Sequence, residues 1–365
     1  MRAPVSSFEV SLHLRSVLNK DSALTWALAF AGRSLRLLAM NLDGPFYDDL
    51  HVGMTIAPLP PVTFTEADNV IYRAICGDQH IPSVDVGAFA TMGGLGALVN
   101  PGLVMQYSIG QTTGATRRAI ANLYYRTVRI HRPVTVGETL VTTTKVLGLS
   151  DASPKDGVFR GKVWLGIESH TAAGPVATYE RCALLPCRGS VAPGHTSTIP
   201  GPSELTPLEA FVTDLPTWNL AELPMTTDWA IGEQVEDPMR DHVDLAPALA
   251  RMTFNQAVVH RDVTRTSNGR RLVYGGHVQA LAQASLTRVL PGMATVLGWD
   301  GCDHLAPAYE GDLLAFRHRL LDTLVLASGN RLLRFEVTGR RITGDDTADA
   351  AAADLLRWTT VVFAR

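Results

Sequence analysis

Three histidines in the C-terminal third, His260, His277 and His304, and the glycine pair Gly275-Gly276 are residues whose types and spacing could do chemistry. A histidine is neutral near pH 7 and can take a proton from water or return one. A glycine pair ahead of an apolar run can open a helix, whose first amides aim unpaired N–H groups at a developing anion. Gly276 and His277 follow His260 by 16 and 17 residues, enough chain to return to the same cleft. A metal is not expected: the histidine spacings of 17 and 27 residues fit no helical ligand pair, and no carboxylate or cysteine stands beside them at ligand spacing.

Other catalytic signatures are missing. Gln106-Tyr107-Ser108-Ile109-Gly110 lacks the first glycine of a nucleophile elbow, and Gly94-Leu95-Gly96 has no third glycine at dinucleotide spacing. There is no phosphate loop, and no cofactor is expected. Cys76, Cys182, Cys187 and Cys302 are too few and scattered for a disulfide framework, and Cys182 and Cys187 lack a second pair for zinc. They read as reduced thiols of a cytoplasmic protein.

An internal repeat supplies the elements that must position these groups. Setting Gly102 over Gly276 without gaps puts Pro133 on Pro307, Gly137 on Gly311, Glu138 on Asp312 and Leu140 on Leu314. In each copy a glycine opens a helix-compatible run, Leu103 to Thr116 and His277 to Leu290. Strands are expected at 123–130, 139–147, 158–168 and 176–185 in the first copy. The second offers 295–299, 313–320, 331–338 and 356–363. One long helix followed by several long antiparallel strands is an α+β pattern.

At 365 residues the chain suits about two domains, and 46% apolar with 18% charged residues favours a packed core over disorder. The net charge of -3 gives no footprint for nucleic acid or an anionic membrane. Residues 188–228, rich in Pro, Gly, Ser and Thr, read as a linker crossing the surface. That places one unit at 40–187 and another at 229–365. Residues 1–39 have no counterpart in the second copy and contain an apolar run, Leu24 to Ala31, too short to span a bilayer. They read as an extension outside the fold, with Met40 as an alternative start, whose removal should leave stability and activity nearly unchanged.

The segment Arg271 to Val278, with Gly298-Trp299-Asp300 and Pro307 to Asp312, resembles the MaoC-like dehydratase family. Its two-unit members include mesaconyl-CoA hydratases and a mycobacterial group of double-hotdog hydratases. The resemblance covers nearly everything after Met40 and implies a double hotdog: two units, each a sheet wrapped around a long central helix. It also implies an acyl-CoA thioester substrate, a place in fatty acid metabolism, and either a monomer of pseudo-dimeric units or a homodimer.

The family signature runs Asp, any residue, Asn, Pro, an aliphatic residue, His, and its Asp and His hold and activate water. Asn255-Gln256-Ala257-Val258-Val259-His260 keeps the His but carries Asn in place of Asp, and Ala257 and Val258 replace Asn and Pro. In the first copy Asp78-Gln79-His80-Ile81-Pro82-Ser83 keeps the Asp and loses the His. The resemblance therefore implies a catalytic C-terminal unit and a degenerate N-terminal site. Catalysis is assigned to His260, Asn255 and the Gly276 amide, and substrate contact to Tyr274, Gly275 and His277.

Such a site would hydrate a 2-enoyl-CoA, the acyl group either simple, branched or dicarboxylic. Asn255 cannot be a base, but its amide could orient water or the thioester carbonyl. Each residue has a plainer reading: His260 as a partly buried histidine, Gly275-Gly276 as a turn, His277 as a structural cap. Two other functions stay open. A thioesterase would need a carboxylate near the central helix, and His277 to Ala284 contain none. A non-catalytic acyl-CoA binder would be consistent with the losses at Ser83 and Asn255.

Overall fold

The computed structural model describes residues 44–201, 204–226, 228–266, 268–342 and 354–365; the extension at 1–39 lies outside them. Among the described residues twelve strands form one antiparallel sheet. The first copy supplies β1 (Thr55–Ile56), β2 (Val62–Thr63), β3 (Ala121–Ile130), β4 (Thr139–Lys155), β5 (Val158–Thr171) and β6 (Gly174–Pro186). The second supplies β7 (Gln234–Glu236), β8 (Asp241–His242), β9 (Met293–His304), β10 (Leu313–Val325), β11 (Arg331–Ile342) and β12 (Asp354–Ala364).

The order β4-β5-β6-β3 in one copy is mirrored by β9-β12-β11-β10 in the other. They join where β3 pairs with β9, Tyr125 opposite Cys302 and Arg129 opposite Gly298. All eight expected strands form, mostly longer than their apolar patterns suggested. β4 continues past the apolar alternation into Ser150 to Lys155, where ladder bonds to β5 hold polar residues in place.

Each half wraps its sheet around a central helix, Pro101–Gln111 in the first and Gly275–Val289 in the second. Every residue of the first helix is buried, as are Gly276 to Thr287 of the second. A helix enclosed on all sides needs an apolar or satisfied surface all round, which explains why neither sequence shows a one-sided stripe. The first helix ends earlier than expected: Thr112–Ala115 tighten into a 3-10 turn.

The repeat persists in backbone detail at a constant offset of 174 residues. Leu98 bridges Thr135 as Leu272 bridges Tyr309. Val99 N–H donates to the Val134 carbonyl at 2.9 Å, and Val273 N–H to that of Ala308 at 2.9 Å. Gly137 and Gly311 turn with φ of 96° and 91°, a conformation that side chains disfavour. The following acid caps each turn: Glu138 accepts the Thr135 N–H, and Asp312 the Tyr309 N–H, both at 2.8 Å.

The connecting segment is more than a surface linker. Its 3-10 turns, Leu208–Asp214 and Leu220–Glu222, bury Leu208, Phe211, Leu220 and Leu223 against Ala294, Leu297 and Phe363. Sparse apolar residues among prolines hid this second cluster in the composition.

Candidate active site

The loop carrying Asn255 and His260 is pinned from both ends. Asn255 N–H donates to the Ala250 carbonyl at 2.9 Å, and Gln256 N–H to Thr113 Oγ1, at the end of the first central helix, at 3.0 Å. Gly110 on that helix permits the approach, because a Cβ there would overlap the Thr253 carbonyl. The Asn255 side chain is buried, and its Oδ1 accepts the Ala257 N–H at 3.0 Å. That commitment settles the amide's orientation: its Nδ2 donors remain available.

His260 closes the 3-10 turn Val258–His260 and is half-buried. Its Nδ1 lies 3.0 Å from the Leu272 carbonyl. A carbonyl only accepts, so Nδ1 carries the proton and Nε2 presents a lone pair. Burial pulls the His260 pKa down to about 4, against the Leu272 carbonyl and helped by the Arg261 charge. The ring is therefore neutral at pH 7, the form that can accept a proton.

Opposite this loop stands the start of the second central helix. Tyr274 occupies the N-cap without a side-chain hydrogen bond to the helix, and among the described residues the Gly275 and Gly276 amides have no acceptor. A Cβ at Gly275 would overlap the His304 ring, and one at Gly276 would overlap Gln106. Gly275 brings its amide to the positive end of a 15-residue helix, where a donor can meet an oxyanion, with the Gly276 amide next behind it.

A cavity of about 370 Å³ brings His260, Asn255, Tyr274 and Gly275 to one wall system. Gly276 lies behind its surface, and His277 is fully buried with neither ring nitrogen hydrogen-bonded. The structure thus unites four of the six residues expected from sequence, with Gly276 one residue behind them and His277 in the core. Of two further lining residues, the sequence pointed to one only as a metal ligand to be discounted and did not point to the other. His304, at the end of β9, lies close enough for His260 to lower its pKa; burial is the larger cause, and brings it to about 4. Arg181, on β6, is only 4% exposed and reaches the same space. Ile109, Thr113 and Thr116 also line it, so the first copy walls a cavity whose loop comes from the second.

The pseudo-equivalent place is filled. Asp78 Oδ1 accepts the His80 N–H at 2.9 Å, the same turn that Asn255 makes, and Gln79 N–H donates to Thr287 Oγ1 at 3.2 Å. Gln283 Nε2 bridges Asp78 and Asn100 at 2.9 and 3.0 Å. His80 Nδ1 meets Ser83 at 3.1 Å, and its Nε2 meets the Ala294 carbonyl at 2.9 Å. The first helix start is also closed. Pro101 has no N–H, and Asn100 Oδ1 accepts the Gly102 N–H at 2.8 Å.

No family model matches the chain. Mesaconyl-CoA hydratase of Cereibacter sphaeroides is 30% identical over 296 residues, 76% of this chain and 84% of that protein. Beta-methylmalyl-CoA dehydratase of Chloroflexus aurantiacus is 28% identical over 297 residues, covering 76% and 82%. Among solved structures, RV0216 of Mycobacterium tuberculosis, described as a double hotdog fold, is 33% identical. It superposes with TM-score 0.77 over 88% of this chain and 99% of its own. A putative MaoC domain protein dehydratase from Chloroflexus aurantiacus gives TM-score 0.78 at 25% identity, over 88% and 97%. The chain belongs to the MaoC-like double-hotdog hydratase and dehydratase family. Among the described residues no helix is long and apolar enough to cross a membrane, and no group of three or more His, Cys, Asp or Glu could hold a metal ion.

Proposed function

We propose that this protein adds water to, or removes it from, a 2-enoyl-CoA thioester. The observation that carries the reading is the meeting, across one cavity, of a neutral histidine and an uncapped helix start. In the hydration direction His260 Nε2 takes a proton from water as the water oxygen bonds to C3. The C2–C3 π pair moves to make an enolate, and negative charge collects on the thioester oxygen. The Gly275 and Gly276 amides and the helix dipole stabilise that charge. His260 then returns the proton to C2, so the water is fully added and the histidine is neutral again.

Asn255 contributes its Nδ2 donors, while Oδ1 already accepts the Ala257 N–H. Nδ2 suits the oxygen of the attacking water or of the thioester. Tyr274 and Gly275 shape the wall against the acyl thioester, and His277 packs in the core behind it. The cavity lining includes no carboxylate and no thiol, which leaves a thioesterase without a carboxylate base or a cysteine nucleophile.

Crotonyl-CoA and mesaconyl-CoA, followed for both enoyl absorbance and free thiol, test the reading. Loss of absorbance without thiol release is expected. Thiol release would make the protein a hydrolase, and silence with both substrates would leave it a binder.

A further inference from the structure

Arg181 differs from the other deeply buried arginines. Arg334 is 2% exposed and holds Asp300 and Asp322 at 2.8 and 2.9 Å. Arg288 holds Asp237 and Asp241 at 2.6 and 2.7 Å. Arg181, at 4% exposure, has no carboxylate partner among the described residues. It donates to Thr112 Oγ1 at 2.6 Å and Thr116 Oγ1 at 3.1 Å, and its Nε is buried without an acceptor. The Tyr125 ring lies 5.8 Å beneath it.

A buried cation without a counterion is costly, by several kcal/mol on the order of the effective desolvation penalty. The end of the first central helix, where both threonines sit, offsets at most about half a charge. A guanidinium presents five donors in a fork that matches a carboxylate. The position is also specific to this cavity: Tyr125 pairs with Arg181 across β3 and β6, whereas its repeat mate Trp299 pairs with Thr360 in the filled half.

We propose that Arg181 receives a carboxylate carried by the acyl group, so that the cavity selects 2-enoyl-CoA thioesters with a second, free carboxylate over neutral ones. This rests on the hydratase reading for the orientation of the thioester. Arg181 is a specificity residue here, separate from the proton transfers at His260.

The test begins with binding of unreactive, saturated four-carbon ligands to the full chain by calorimetry. Freshly prepared succinyl-CoA should bind about tenfold to a hundredfold more tightly than butyryl-CoA, the range for a charge-assisted pair. In Arg181→Gln that ratio should collapse towards one, and Arg181→Lys should recover part of it. Equal binding of the two ligands by the unaltered protein overturns the proposal, whether or not either variant folds. A ratio that survives in folded Arg181→Gln overturns it as well. The hydratase reading fails separately: a carboxylate preference without loss of enoyl absorbance from any substrate would keep the anion site and discard the reaction. Equal hydration of crotonyl-CoA and mesaconyl-CoA would do the reverse.

Discussion

The two halves share a register, a helix and a loop turn, yet one opens a cavity at the loop and the other closes the same place with a hydrogen-bond network. The differences fall at a few matched positions. His260 stands where the first copy has Ser83, and Tyr274-Gly275 where it has Asn100-Pro101. His304 answers Ile130, and Arg181 answers Thr360. Ile120, 47% exposed at the cavity, is matched by Ala294, which the connecting segment covers completely. Identical scaffolding is thus compatible with a site or a plug, and what decides is whether the helix start is capped and whether the facing wall is filled.

The sharpest way to break this contrast is to equalise the histidine loops. His260→Ala should reduce hydration by about a thousandfold or more, as expected for loss of the residue that moves the proton. Ser83→Ala, measured in the same assay, should stay within about threefold, because Ser83 only joins a closed hydrogen-bond network. Equal losses would mean that both loops take part.

Next in size is Gly110→Ala. The added Cβ must displace the Thr253 carbonyl and with it the Asn255 loop, so about a hundredfold loss of kcat is expected together with a lower melting temperature. Its repeat mate, Ala284, already carries a Cβ and is fully buried. Ala284→Gly should cost only about 0.5–1 kcal/mol of stability.

Asn255 tests the donor role. Asn255→Ala should lower kcat by about tenfold to a thousandfold. Asn255→Asp can keep the Ala257 cap but replaces the donor with negative charge, which raises the pKa of a nearby His260. The acid limb of kcat/KM, expected near His260's pKa of about 4, should then move to higher pH. Full activity in Asn255→Ala would reduce the asparagine to packing.

The smallest effect is on stability. Burial lowers His260, His277, His304 and His318 to about 4 from an ordinary value of 6.5. Between those values the unfolded chain binds more protons than the folded one, so stability should fall as pH drops from 6.5 towards 4 and be flat with respect to these groups above 6.5. His277→Leu copies its repeat mate Leu103 and removes two unpaired buried nitrogens. It should raise the melting temperature by about 1–3 °C and flatten the acid slope. Loss of hydration in a folded His277→Leu would instead place His277 in substrate binding.

Much of this was legible in the chain. The 174-residue register and both helix openings follow from local patterns that the backbone bonds then reproduce, whereas the segment from Asn255 to His260 stood out only through the family resemblance. The place of His304 in the cavity was not legible, nor was Arg181 at all, since each enters from a strand whose facing depends on ladder register and bulges. A signal for Arg181 existed: a lone arginine between the apolar residues Tyr179 and Leu185, at a position where a charge has no reason to be unless it is satisfied. The Asn100 cap was equally readable as Asn-Pro before a helix, but its meaning appears only beside an uncapped counterpart.

The seam between β3 and β9 joins the halves within a single polypeptide. In a symmetric homodimer every substitution is made twice, so a change that plugs one site plugs both. Covalent fusion lifts that restriction, letting one half drift towards rigidity while the other retains chemistry. It also frees the pairing from mass action: the association that completes the cavity wall persists at any dilution, so specific activity should not fall as the protein is diluted.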